Sequence, residues 1–128
     1  MAPKREALNV PGLSHTGNFM PMGIKMGNLI FTSAVMGANP ADGTLAAGFD
    51  EQAAQAFHNL RTVLAAAGAG PENLAHITVW LSDQANRAAA NRPWVAMFPD
   101  ANDRPVRHTV KGDLPEGMLI QLEAIAVM

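Results

Sequence analysis

The chain has 128 residues, no cysteine and a formal net charge of −2. The missing cysteine excludes disulfides, thiol catalysis and thiolate metal sites, and the charge balance carries no basic stripe of the kind a general nucleic-acid binder needs. No apolar run approaches the roughly 18–20 residues of a membrane span, and residues 1–20 hold no secretory core, so the expectation is a soluble, cytoplasmic protein with one domain over residues 1–128.

A short strand opens the chain. The stretch NVPGLSHTGNFMPMG (9–23) is rich in Gly, Pro, Asn and Ser and predicts a long ordered loop. GNLIFTSAVM (27–36) is a β-type run closed by the turn-forming NPADG (39–43). FDEQAAQAFHNLRTVLAAAG (49–68) is the clearest helix. Asp50 reads as its N-cap, Glu51 sits where the dipole favours it, and Gly68 supplies the stop. Ala53, Ala56, Phe57, Leu60, Leu64 and Ala67 recur at helical spacing and form one apolar stripe. LAHITVWLS (74–82) is a strand by its β-branched and aromatic content. A second helical region ends in VAMF (95–98); Pro93 cannot lie deep inside it, so Asn91 reads as the cap of a fresh start. Strands over 105–111 and 118–127, joined through GDLPEG, complete the order β-β-β-α-β-α-β-β, an α+β pattern.

Strand alternation places Met118, Ile120, Leu122, Ala124 and Ala126 on one face, with Leu119, Gln121, Glu123, Ile125 and Val127 on the other. Two helices cover only one side of such a sheet. The run at 28–36 is nevertheless apolar on both sides, with Leu29 and Phe31 opposite Ile30 and Ala34. An uncovered apolar sheet face marks an association site, so a homo-oligomer is expected; the alternative is a monomer with loop 9–23 folded over that face.

Arg107 is the most informative polar residue. Lying between Val106 and His108 in a strand, it shares a face with Thr109 and Lys111. A partly buried guanidinium needs an anion, and its fork fits a carboxylate through two parallel hydrogen bonds. From spacing alone, a salt bridge to a residue such as Glu123 or Asp103 is equally open. His15, His58, His76 and His108 form no metal-ligand spacing, and His108 points away from the Arg107 face. No G-x-S-x-G elbow and no Walker loop is present, the eight methionines read as core filler, and the absence of tyrosine removes one common general acid.

Several stretches together resemble the YjgF/Rid family, the reactive-intermediate deaminases also labelled L-PSP endoribonucleases. They are GNLIFTSAV (27–35), NPADG, the helix pattern Q-A-x-x-N-L-x-x-V-L-x-A-A-G ending at Gly68, ITVWLSD (77–83), Ala90-Asn91 with Phe98, RPVR (104–107), and L-P-x-x-x-x-I-x-L-E-A-I-A (114–126). The resemblance runs over nearly the whole chain. It implies a chorismate-mutase-like sheet packed on two helices and a homotrimer with a central β-barrel and clefts between subunits. It also implies hydrolysis of enamines or imines of carboxylated amines to 2-keto acids and ammonia, without metal or cofactor. The family's arginine falls on Arg107, which favours carboxylate binding over the internal salt bridge. Its serine falls on Ser33, its asparagine on Asn91, and a position often held by cysteine on Thr109. Two departures stand out: the tyrosine position is Met20, and the glutamate credited with orienting water is Gln121, while Glu123 is kept. An amide holds water but accepts no proton at neutral pH. The expected mechanism has Arg107 clamp the carboxylate, with a backbone N–H near Ser33 or Thr109, Gln121 holding the water, Asn91 shaping the rim and Met20 making the pocket more apolar. The alternatives are a pathway-specific, aminomuconate-like deaminase, a non-catalytic carboxylate-binding or chaperone-like homologue, and, below these, a ribonuclease. The last is disfavoured by the acidic balance and scarce aromatics, and no nucleic-acid or membrane partner is expected.

Overall fold

The computed structural model describes residues 2–14 and 19–128; His15 lies outside them. Among the described residues the elements run β1 (Arg5–Leu8), β2 (Gly23–Met26), β3 (Leu29–Thr32), β4 (Val35–Met36), α1 (Phe49–Ala65), β5 (Leu74–Leu81), α2 (Asn91–Met97), β6 (Val106–Lys111) and β7 (Ile120–Val127). All the strands join one sheet in the order β1-β2-β3-β7-β5-β6, with β4 also on β7. β5 and β6 pair in parallel, as the crossover through α2 requires, and the other pairs are antiparallel.

Two features depart from the expected strands. β2 extends directly from the predicted loop and forms a hairpin with β3, pairing Met26 with Leu29. The run at 27–36 is broken in two. Phe31 faces Ile125 and Val35 faces Leu122, so four steps along one strand oppose three along the other and one residue bulges out. The Thr32 hydroxyl repairs the ladder there by accepting from the Ala124 N–H at 2.9 Å. Ser33 and Ala34 are thereby set off from the regular strand.

α1 buries the expected stripe of Ala53, Ala56, Phe57, Leu60 and Leu64, with Val63 beside it, while Ala67 is only partly covered beyond the helix end. Gly68 stops the chain's helical path with φ +76°, a conformation that a side chain disfavours. The start differs from expectation. Gly48 is the capping residue, and Asp50 lies inside the first turn, where its carboxylate pairs with Arg92 at 2.7 Å. The helical stripe and Trp94 and Met97 of α2 pack on Ile77, Val79, Leu81, Ile120 and Leu122, one face of the sheet. Each such side chain contributes roughly 1.5–3 kcal/mol on burial.

Two fully buried amides pin α1 to the loops around it. Gln52 donates from Nε2 to the carbonyls of Ala46 (2.8 Å) and Gly117 (3.0 Å), and its Oε1 accepts from the Leu119 N–H. Asn59 donates to the carbonyls of Met36 (2.9 Å) and Ala38 (2.8 Å). The approach is close enough that a Cβ at Gly37 would lie 2.1 Å from the Gln52 carbonyl oxygen.

The other face of the sheet carries Leu29, Phe31, Ile125 and Val127, which remain 36%, 36%, 37% and 41% exposed. Neither helix reaches them. Among the described residues no helix is long and apolar enough to cross a membrane.

Replacing Gln52 by Leu removes three hydrogen bonds, two to the carbonyls of half-buried Ala46 and exposed Gly117 and one from the Leu119 N–H. At about 1 kcal/mol for each lost hydrogen bond, Gln52→Leu lowers stability by about 3 kcal/mol. A urea-denaturation midpoint shared with the parent protein would contradict this account of how α1 is held.

Candidate functional site

Arg107 projects from β6 toward the helices. Its pairing with Ile77 of β5 puts it on the same side of the sheet as the core, at the sheet's outer strand. The guanidinium is held on three sides. Nε donates to the Thr109 hydroxyl at 2.8 Å, Nη1 donates to Asn91 Oδ1 at 2.9 Å, and the carbon at its centre sits 5.2 Å from the centroid of the Trp94 ring. Thr109 and Trp94 are 8% exposed, so two of the three partners are fixed by packing. Trp94 is itself braced edge-on by Phe98, with ring centroids 4.8 Å apart.

None of these partners is anionic. Among the described residues the one ion pair is that of Arg92 with Asp50, and the salt bridge from Arg107 to Glu123 or Asp103 is not formed. Glu123 instead accepts from the Trp80 indole N–H at 3.2 Å, on the opposite face. Partial burial, and secondarily the positive charge of Arg87, hold the Arg107 guanidinium below the usual arginine value. Both effects disfavour the cation as it stands and are relieved by an approaching anion. Arg107 is thus a half-buried cation, aimed by neutral groups and, among the described residues, carrying no counter-charge.

Asn91 does not cap the second helix as expected. Ala90 precedes α2, Asn91 is its first residue, and the amide oxygen is directed to Arg107. Pro93 is accommodated because it falls in the first turn, where no intrahelical N–H is needed.

The remaining sequence-derived residues lie elsewhere. Ser33 donates to the carbonyls of Pro21 (3.0 Å) and Met22 (3.1 Å), while its backbone N–H is bonded to the Met22 carbonyl at 2.9 Å. The Ser33 N–H therefore already has a partner, and any backbone donor near it must come from another residue. Met20 is half exposed and lines a cavity of about 240 Å³ with Phe19, Leu13 and Met22. Gln121 stands opposite Met36 and Trp80, on the face away from the helices, and donates from Nε2 to the Met118 sulfur at 3.3 Å. Within one chain, then, Arg107, Asn91 and Thr109 form one cluster, and Gln121 and Glu123 lie across the sheet from it. Cavities of about 420 Å³ beside Phe98 and Arg104, and about 450 Å³ beside Ser82 and Lys111, flank Arg107 along β6 without including it. His58 and His108 are exposed, and among the described residues no cluster of His, Cys, Asp or Glu could hold a metal ion.

The sequence reading missed Trp94. Its signal was present as spacing: Asn91 and Trp94 are three apart on a helix and so neighbours on its surface. What spacing alone did not reveal is that β6 returns beneath them.

The family model described as Endoribonuclease L-PSP matches residues 12–128. A 2-iminobutanoate/2-iminopropanoate deaminase of Escherichia coli is 34% identical over 107 residues, covering 82% of this chain and 84% of that one. A RutC family protein of Aquifex aeolicus is 31% identical over 105 residues, covering 81% and 84%. Among solved structures, the YjgF gene product of E. coli superposes with a TM-score of 0.86 at 29% identity, covering 95% of this chain and 98% of that one. RidA from an Antarctic Psychrobacter gives 0.87 at 26% identity, covering 97% and 100%. With an α+β sheet on two helices matching those structures and a family match over all but the first residues, the chain belongs to the YjgF/Rid family, whose sequence model carries the L-PSP endoribonuclease description.

Proposed function

We propose that the protein is a Rid-type deaminase that hydrolyses imines of 2-oxo acids to the oxo acid and ammonia. The observation that carries this reading is the uncompensated Arg107 guanidinium, held by Thr109, Asn91 and Trp94. The deaminase name of the E. coli relative supplies the reaction class. Arg107 grips the substrate carboxylate through its unused N–H groups, leaving the C=N carbon open to water. Water adds to the protonated imine, one of its protons passes to nitrogen, and the second follows as the C–N bond breaks, which leaves the ketone and an ammonium ion. Both protons of the water and both protons of the iminium nitrogen end on the ammonium ion, so the reaction needs no net acceptor. An amide at position 121 therefore suffices to hold the water, while positioning supplies much of the acceleration.

Gln121 and Arg107 act on one substrate only if they come from different protomers, because the sheet separates them within one. The reading therefore includes a homotrimer whose subunits bury the apolar face of Leu29, Phe31, Ile125 and Val127 around a central barrel. Ser33 and Met20 form the wall opposite the arginine, Glu123 supports the Gln121 side, and no metal or cofactor takes part.

Arg107→Ala removes charged hydrogen bonds of about 1.5–3 kcal/mol each, so turnover of a carboxylated imine falls at least about 100-fold, read as ammonia release from imines made by an amino-acid oxidase. Full activity in that variant would refute the assignment, and wild-type binding of 2-oxo acids without ammonia release would favour a non-catalytic carboxylate binder. Gln121→Glu introduces a group able to accept a proton and raises kcat by about tenfold with little change in KM. Phe31→Asp combined with Ile125→Asp yields monomers by sedimentation and loses activity with the assembly. Retention of a trimer would show that another surface joins the subunits.

A further inference from the structure

The helical turns leading into α2 place a second arginine beside the first. Residues 84–90 already wind before α2 begins: the Arg87 N–H donates to the Gln84 carbonyl, Ala90 to Asn86, Asn91 to Ala88, and Arg92 to Ala89. Three of these bonds span three residues and one spans four, so Arg87 lies about one turn before Asn91, with Trp94 three residues beyond it on α2, in a line along successive turns. Asn91 bonds Arg107 and Trp94 stacks on it, so two members of this line converge on the guanidinium. Arg87 is the third. It is exposed, and its Nη1 reaches only the neutral Gln84 Oε1, at a long 3.4 Å. Its field is felt at Arg107, where it opposes the cation. The contrast with Arg92 is direct, since that arginine has a carboxylate, Asp50, at 2.7 Å. The nearby carboxylate of Asp83 caps the turn by accepting from the Ala85 N–H at 2.9 Å. Two arginines of like charge thus lie within electrostatic range of one another, and neither forms an ion pair among the described residues.

We propose that Arg87 is a second anion contact, which biases the site toward oxo acids and imines carrying two carboxylates; the inference rests on the carboxylate grip assigned to Arg107 above. Arg107 takes the carboxylate next to the reacting carbon, and Arg87, one helical turn along from Asn91, meets the carboxylate at the far end of the side chain. A monocarboxylate satisfies one cation and leaves the other.

Calorimetric titration with 2-oxobutanoate and 2-oxoglutarate tests this without requiring turnover. The parent protein binds the diacid about fivefold more tightly, the upper range for a solvent-exposed ion pair. In Arg87→Gln the ratio of the two dissociation constants falls to near one, and Arg87→Lys restores most of it. The ratio also narrows as salt rises, because the contact is exposed. Equal binding of the two acids by the parent, or an Arg87→Gln variant that weakens both equally, overturns the proposal. Arg107→Ala separates the two layers. Loss of both acids in that variant upholds the primary grip whatever Arg87 does, whereas unchanged binding of both overturns the grip and with it this inference.

Discussion

A cation held in place by neutral groups is the constraint around which this structure is arranged. Burying a guanidinium without a counter-charge is unfavourable, and the protein offsets this with a hydroxyl, an amide oxygen and the face of an indole. A carboxylate from the same chain would serve stability better, but it would occupy the fork. The nearest sequence candidates for that role are kept away: Glu123 is on the other face, bonded to Trp80, and Asp103 forms no ion pair with it. The parallel pairing of β5 and β6 makes this possible. It obliges the chain to cross over through α2, and that crossing brings Asn91 and Trp94 over the strand that carries Arg107.

Alternation along the strands then divides the chemistry. Residues pointing to the helices build the core and, at its margin, the arginine cluster. Residues pointing away include Gln121, Glu123 and the apolar row of Leu29, Phe31, Ile125 and Val127. A side chain cannot change face without shifting register, so no local adjustment brings Gln121 to Arg107 within one protomer. Under the proposed function a neighbouring subunit answers both the apolar row and the divided polar set.

Much of this was legible from periodicity. The stripe on α1, the two faces of β7, and the shared face of Arg107 and Thr109 all follow from counting by 3.6 or by two, because burial there is set by the element itself. The errors fall where a distant residue captured a side chain. Asp50 and Asn91 both look like caps, yet one is taken by Arg92 and the other by Arg107, partners 42 and 16 residues away. β2 falls between the loop read to residue 23 and the run read from 27, because Gly23, Ile24, Lys25 and Met26 are too few to show alternation. The bulge at 32–34 depends on Thr32 reaching Ala124, a match of side chain to register that no local pattern announces. Ser33, between β3 and β4, is bonded to the carbonyls of Pro21 and Met22, which line one cavity with Met20.

The anchor of Arg107 at Thr109 has a chemical consequence of its own. The family often places a thiol at that position, and this chain has none anywhere. A thiol can be oxidised, alkylated or captured by soft metals, and each event would disturb whatever it supports. An aliphatic alcohol resists all three. The Thr109 contact beneath this guanidinium is therefore indifferent to the peroxide and electrophiles that would modify a thiol in its place.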